Sequence, residues 1–351
     1  DQEKLYHHRW GSNNSFNAEV GMDYTWHANQ TQKNGEPGYI WLDNARTHGR
    51  FKDGLKYDDI NVAGFNPCVE QQLEDAELCC LVETFPAKHD DYEDYLKTLK
   101  IAYLYGKTIT LSNTHWPETN AKMLKNRRIG LSQSGVVQAF NKFGRRAMLN
   151  WCDNAYNHVK DLDEEYSNWL CIPKSVRMTS IKPSGTVSLL NGSTPGIHFP
   201  ESEYYIRRIR FSMDCELVEA LRNAGHTVEE DAYSPNTYCI EFPVHEPHFS
   251  QSKKTVSMWE QLEMAAQYQH YWADNSVSIT VTFKDEEADQ LKSALEMYET
   301  RLKAVSFLRY KDTGYKQAPY ESITKETYKK LIKNITPIQR ADVQEAGAGT
   351  K

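Results

Sequence analysis

Apolar residues recur along this chain in two rhythms. Tyr92, Leu96, Leu99 and Tyr103 are spaced by four, three and four, which predicts an amphipathic helix ending at Gly106. Ser257-Met258-Trp259-Glu260 has the capping-box pattern and opens a helix to about Trp272. Leu217 and Leu221, stopped by Gly225, mark a short helix, and Ala288, Leu291, Leu295 and Tyr298 a further one. Helices are also expected near 145–160 and over 324–335. Between them lie short apolar runs that read as strands: 39–42, 79–85, 128–137, 176–181, 238–244 and 277–283. The first follows the turn signal Asn34-Gly35-Glu36-Pro37-Gly38. In the last, Val277, Ile279, Val281 and Phe283 alternate with Ser and Thr.

Strands alternating with helices predict an α/β fold whose parallel sheet binds ligands at the carboxyl ends of its strands. About six strands are expected. An open sheet of that kind leaves a bare edge unless a partner segment covers it. No linker or repeat interrupts residues 1–335, which are expected to form one portion of a domain. Residues 336–351 are polar and Ala/Gly-rich, the composition of a mobile tail.

Composition narrows the partners. With 41 Lys and Arg against 48 Asp and Glu, the net charge is −7, which argues against a nucleic-acid polymer. A nucleotide monomer needs only a few local donors and is compatible with it. No run of 18 apolar residues and no signal peptide is seen, so no membrane span is expected. Seven cysteines at irregular spacing read as reduced, cytoplasmic thiols rather than a disulfide frame. The chain opens at Asp1, and the stretch from Trp10 to Ser15 already reads like a domain interior, so a piece of a larger protein is expected.

Three motifs carry chemistry. In Asn66-Pro67-Cys68-Val69-Glu70 a thiol stands two residues from a carboxylate. A thiol gives and takes hydrogen atoms readily, Glu70 is placed to act as a general base, and Asn66 can bond nearby hydroxyls. In an extended segment residues 66, 68 and 70 share one face. Taken alone, Cys-x-Glu reads far more often as a structural cysteine beside a solvated glutamate. Cys79-Cys80 offers one thiol to such a face, and a two-electron reduction needs a thiol pair that ends as a disulfide. Apolar packing of both is the plain alternative, and no second Cys or His pair supports zinc. Lys182-Pro183-Ser184-Gly185-Thr186 follows a predicted strand and precedes a predicted helix. Its backbone N–H groups, its hydroxyls and a glycine that admits close approach make an anion cradle suited to phosphate. An ordinary helix cap reads the same way.

Together with Arg9-Trp10-Gly11-Ser12-Asn13-Asn14-Ser15 and Asn34-Gly35-Glu36-Pro37-Gly38, these motifs resemble the catalytic subunit of ribonucleotide reductases. The resemblance is to the adenosylcobalamin-dependent class II branch, of the monomeric ribonucleoside-triphosphate type. It implies an α/β fold: the C-terminal part of a ten-stranded α/β barrel, with a central finger loop near 64–72. It implies thiyl-radical reduction of ribonucleotides, with Cys68 as the radical thiol, Glu70 as the base, Asn66 on the ribose hydroxyls and Cys79 as one reducing thiol. Cys80 competes with Cys79 for that last role. Pro183, Ser184, Gly185 and Thr186 would hold the substrate phosphates.

The implied cofactor is adenosylcobalamin. The implied partners are a ribonucleoside tri- or diphosphate, an N-terminal half of the same enzyme, and thioredoxin or a similar dithiol. The family's first reducing cysteine lies upstream of anything in this chain, and its C-terminal cysteine pair is not found here. Two other readings stay open: a non-catalytic nucleotide-binding or assembly half-barrel, and a reductase that takes its radical from a separate metal subunit.

Overall fold

The computed structural model describes residues 14–310 and 316–339. The first part of the expected tail, 336–339, is included; 340–351 lie outside the described residues, as do Arg9 to Asn13 of the first motif. In chain order the elements begin with β1 (Ser15–Asn17), α1 (Thr25–Asn34), β2 (Gly38–Ile40), α2 (Leu42–Thr47), β3 (Gly64–Phe65), β4 (Gln72–Leu73) and β5 (Leu81–Thr84). They continue with α3 (Tyr92–Ile109), α4 (Pro117–Asn126), β6 (Gly130–Gln133), α5 (Val136–Phe143), α6 (Arg145–Leu170) and α7 (Val187–Leu190). Next come β7 (Tyr204–Ser212), α8 (Leu217–Asn223), β8 (Val228–Glu230), β9 (Thr237–His245) and α9 (Met258–Tyr271). The last are β10 (Thr280–Phe283), α10 (Leu291–Tyr298), β11 (Ala304–Arg309), β12 (Tyr320–Ser322) and α11 (Lys325–Ile332). No described helix is long and apolar enough to cross a membrane.

The described residues divide into two compact units, a boundary the sequence pattern does not draw. One runs to Phe199 and resumes at Val256–Tyr310; the other takes Pro200–Thr255 and the described residues from 316 on. The second unit is an antiparallel sheet in the order β12-β7-β9-β8, with Val218, Leu221 and Ile240 at its centre.

The first unit carries a succession of mostly parallel strands. β5 pairs with β6, and β10 pairs with β11, each in parallel. Between them runs an extended segment, 178–181, bridged in parallel to β6 at Leu131–Thr179 and to the approach to β10 at Ile181–Val277. β11 meets β2 antiparallel, and β2 meets β1 in parallel. Among the described residues β1 and β5 are the two rims, each with one strand partner.

Asp274 and Asn275 fix the middle segment. The Asp274 carboxylate accepts the N–H groups of Met178 and Thr179 at 2.9 and 2.7 Å, and Asn275 Nδ2 bonds the carbonyls of Ile129 and Thr179. Buried side chains thus supply part of the pairing that keeps this strand-like segment in line.

The helices cover one face of these strands. α3 is capped by Asp91, which accepts the N–H of Asp94, and buries Tyr95, Leu99 and Tyr103. It runs on to Ile109 instead of stopping at Gly106. A Cβ at Gly106 would come within 3.1 Å of Val82 and 3.2 Å of Ile129, so this glycine serves close helix–strand approach and is no terminator. Other boundaries also differ from expectation. The 128–137 run is strand only to Gln133, because α5 starts at Val136, and the helix near 145–160 reaches Leu170. The 39–42 run stops at Ile40, since Leu42 opens α2. Twelve strands are described rather than about six, most of them two to four residues long and too short to show a period.

Candidate active site

β3 and β4 form a small antiparallel hairpin, and residues 66–71 are its tip. Asn66 closes it: its N–H donates to the Gln71 carbonyl at 3.0 Å, and its Oδ1 accepts the Gln71 N–H at 3.1 Å. That use of Oδ1 leaves Nδ2 as the side chain's donor. The tip is a turn, with Val69 at φ 64°, and not the extended segment predicted for residues 66–70. The turn separates the two candidate side chains. Cys68 is exposed, whereas Glu70 is fully buried.

The tip is tied to the strands through its backbone. The Cys68 carbonyl accepts from Ser278 Oγ at 2.5 Å, and the Glu70 carbonyl accepts the Ser276 N–H at 3.1 Å. Gln71 completes the docking by exchanging two side-chain bonds of 3.1 Å with the backbone of Cys80.

Glu70 Oε1 accepts from Lys182 Nζ at 2.8 Å. Its Oε2 is buried with no hydrogen-bond partner, an acceptor in reserve. Burial would lower the pKa of Lys182, but the hydrogen bond and charge of Glu70 outweigh it and raise the pKa, with Cys68 and Cys79 acting in the same direction. One ammonium group therefore lies in the electrostatic reach of the hairpin thiol, the hairpin carboxylate and the thiol before β5.

The two vicinal cysteines part ways here. Cys79 is exposed. Cys80 is buried, its Sγ lies 3.7 Å from the Gly106 carbonyl oxygen, and burial pushes its thiol up to about 11. A thiol so placed is inert, which leaves Cys79 as the candidate.

Lys182 also opens the predicted phosphate loop. Ser184 is buried, Thr186 is exposed, and the helix that follows, α7, has only four residues. Nothing crowds Gly185: a Cβ there would meet only the Pro183 carbonyl oxygen, at 3.9 Å. The buried hydroxyls of Ser188, Ser193 and Thr194 have no hydrogen-bond partner. Gly196, at φ 50°, packs on Lys182 so closely that a Cβ would collide with the Lys182 carbonyl oxygen.

Sequence reasoning missed four candidate contributors. The ammonium of Lys182 was quoted within a motif but given no task. Glu83 was read as part of an apolar strand. Ser132 and Ser134 carried no signal beyond being polar residues within and just after the buried strand β6. A cavity of about 460 Å³ lined by Phe51, Leu149, His270, Tyr271 and Arg301 contains none of the predicted residues.

No family model matches the chain. Among curated proteins it is 50% identical over 334 residues to a probable adenosylcobalamin-dependent ribonucleoside-triphosphate reductase of Dictyostelium discoideum, covering 94% of this chain and 44% of that one. It is 47% identical to the adenosylcobalamin-dependent ribonucleoside-triphosphate reductase of Euglena gracilis, covering 93% and 45%. The chain spans about half the length of the curated relatives it matches. A crystal structure of a B12-dependent class II ribonucleotide reductase superposes with a TM-score of 0.89 at 36% identity, over 100% of this chain and 53% of that one. The α subunit of an Actinobacillus ureae class Id ribonucleotide reductase, at 16% identity and a TM-score of 0.58, shares the fold alone, over 83% of this chain and 62% of that one. Over nearly its whole length the chain is similar to about half of adenosylcobalamin-dependent ribonucleoside-triphosphate reductases and of a class II ribonucleotide reductase of known structure.

Proposed function

We propose that this chain is the C-terminal part of a class II catalytic barrel and that, completed by an N-terminal half, it reduces ribonucleotides to 2′-deoxyribonucleotides. Its relatives are ribonucleoside-triphosphate reductases, which favours the triphosphate as substrate. One observation carries the reading: Lys182, the residue before the 183–186 loop, bonds Glu70 at 2.8 Å and lies within electrostatic reach of Cys68 and Cys79.

The division of labour follows from burial and bonding. Cys68, as a thiyl radical, takes the 3′ hydrogen atom of the ribose. Glu70 takes the proton of the 3′-hydroxyl, for which its unpartnered Oε2 is suited. Asn66 Nδ2 donates to the ribose hydroxyls, the 2′-hydroxyl leaves as water with a proton from the reducing thiols, and Cys68 at the end returns the hydrogen atom to the 3′ carbon. Cys79 and a thiol of the other half give two electrons and end as a disulfide, which thioredoxin or a similar dithiol reduces. The phosphates rest on Pro183, Ser184, Gly185 and Thr186, where backbone N–H groups and hydroxyls balance their charge.

Adenosylcobalamin, when bound, supplies the unpaired electron through homolysis of its cobalt–carbon bond. The exposure of Cys68 at the hairpin tip fits a thiol that has to be reached from outside this half. The rims β1 and β5 are where the second half would pair.

The test is reconstitution. The chain is mixed with an N-terminal half, adenosylcobalamin, a ribonucleotide and dithiothreitol, and deoxynucleotide is expected from the wild type and not from Cys68→Ser. A folded complex that binds nucleotide but yields no product would leave the non-catalytic half-barrel. Product formed with a metal subunit and no cobalamin would replace the radical source.

A further inference from the structure

The first unit holds a carboxyl that the proposed steps leave unused. Glu83 lies on β5, opposite Ser132 of β6. Its Oε1 accepts from Ser132 Oγ at 3.1 Å and from Ser134 Oγ at 2.6 Å. Each hydroxyl also accepts a backbone N–H at 2.9 Å: Ser132 from Lys182, Ser134 from Gly196. A hydroxyl has one hydrogen to give. Both hydrogens point at Oε1, so Oε2 is the oxygen left to carry a proton.

Charge balance points the same way. Lys182 is the cation acting on both carboxyls. It bonds Glu70 directly, and it and Glu70 are the charged groups that act on Glu83. On the α3 side the titratable neighbour is Tyr95, whose burial holds its phenol neutral, with its hydroxyl 3.0 Å from Thr84 Oγ1. One ammonium serves Glu70, which is fully buried, and Glu83, which is half-buried, so one of the two negative charges is left without a direct partner, and a proton removes it. Burial accordingly pushes Glu83 up to about 7, against the pull of the two serine hydroxyls and Lys182.

We propose that Glu83 is the proton store of this site: it holds a proton while Glu70 rests as a carboxylate on Lys182, and gives it to water when Glu70 takes one. Lys182 then faces one carboxylate throughout. The exchange moves a proton and no electrons, and the partial exposure of Glu83 opens its path to solvent. The exchange rests on the reading of Glu70 as base. The resting arrangement does not need turnover to be observed, because it is a property of this chain by itself.

The experiment is carbon-13 NMR of the chain labelled at its glutamate carboxyls, titrated from about pH 5 to about pH 9. One carboxyl is expected to titrate near about 7 and to vanish from the spectrum of Glu83→Gln. Ser134→Ala removes a donor to the anion and should raise that midpoint by about half a unit or more, and Glu70→Gln removes a like charge and should lower it by a similar amount. The proposal is overturned if no carboxyl titrates above about pH 6, or if the neutral titration persists in Glu83→Gln. If Glu83→Gln does not fold, an unmoved midpoint in both Ser134→Ala and Glu70→Gln overturns it. A Glu83 titration in a chain that never yields deoxynucleotide on reconstitution upholds the store and removes the reductase reading; the reverse pair of results removes the store alone.

Discussion

Lys182 donates from Nζ to Glu70 Oε1 at 2.8 Å, and this contact brings together residues 112 positions apart in sequence. Glu70 is fully buried, so removing the ammonium strands a carboxylate away from water. Lys182→Met should lower the stability of the chain by on the order of 1–3 kcal/mol. Adding Glu70→Gln should restore part of the loss, giving a coupling energy of about 0.5–3 kcal/mol in a double-mutant cycle followed by urea unfolding. Strict additivity would mean that the contact does no energetic work.

Cys68→Ser should abolish deoxynucleotide formation in the reconstituted enzyme while nucleotide binding stays within about twofold of the wild type, because the side chain is exposed and the hairpin is held by other groups. Glu70→Gln should slow turnover by about 10²–10⁴, the usual reach of a general base. Equilibrium binding and steady-state rates measured side by side separate these effects from misfolding.

Thiol reactivity should sort by burial. Cys68, Cys79 and Cys171 are exposed, whereas Cys80, Cys152 and Cys239 are buried. In the folded chain the first three should react with a chromogenic disulfide at least about tenfold faster than the buried three, and burial raises the pKa of the slow ones in every case. Mass mapping of the labelled sites decides it. Rapid labelling of Cys80 in place of Cys79 would exchange their proposed roles.

Stability should fall with rising pH through the neutral range on account of Glu83. Its folded pKa, about 7, lies above the ordinary value of 4.5, so between these values the folded chain holds a proton that the unfolded chain has lost. The slope is negative there, and the loss totals a few kcal/mol at most by about pH 8. Glu83→Gln should flatten this part of the profile. Chemical unfolding midpoints at a series of pH values provide the comparison.

Gly196→Ala should displace the phosphate loop. The residue stands at φ 50°, and its added methyl would press on the Lys182 carbonyl oxygen. A cost of about 1–3 kcal/mol is expected, together with weaker nucleotide binding. Isothermal titration with a ribonucleoside triphosphate reads the second effect.

What could be read in the sequence was what is contiguous. Asn66 to Glu70 and Lys182 to Thr186 announced themselves because each motif packs several reactive groups into five residues. The helical period located α3 and α10 because each buries one side over two turns or more, and the capping box at Ser257 located α9. Lys182 meeting Glu70 left no local trace, since tertiary proximity alone creates it. The Val69 turn was invisible for a related reason: valine disfavours positive φ, and the bonds of Asn66 and Gln71 together with the tertiary ties at Ser276 and Ser278 hold it there. Segment 178–181 looked like a strand and acts as one, but much of its pairing comes from Asp274 and Asn275, which no strand pattern records.

The hairpin tip is moored by the carbonyls of Cys68 and Glu70 and by the Glu70–Lys182 bond, and not by the Cys68 thiol. Shape and reactivity are therefore inherited separately. A descendant that lost the sulfur would keep the loop, the docking and the nucleotide seat, and would fold like its parent. Surveillance of such a lineage by architecture alone would count inactive copies as enzymes; the atom at the tip has to be inspected.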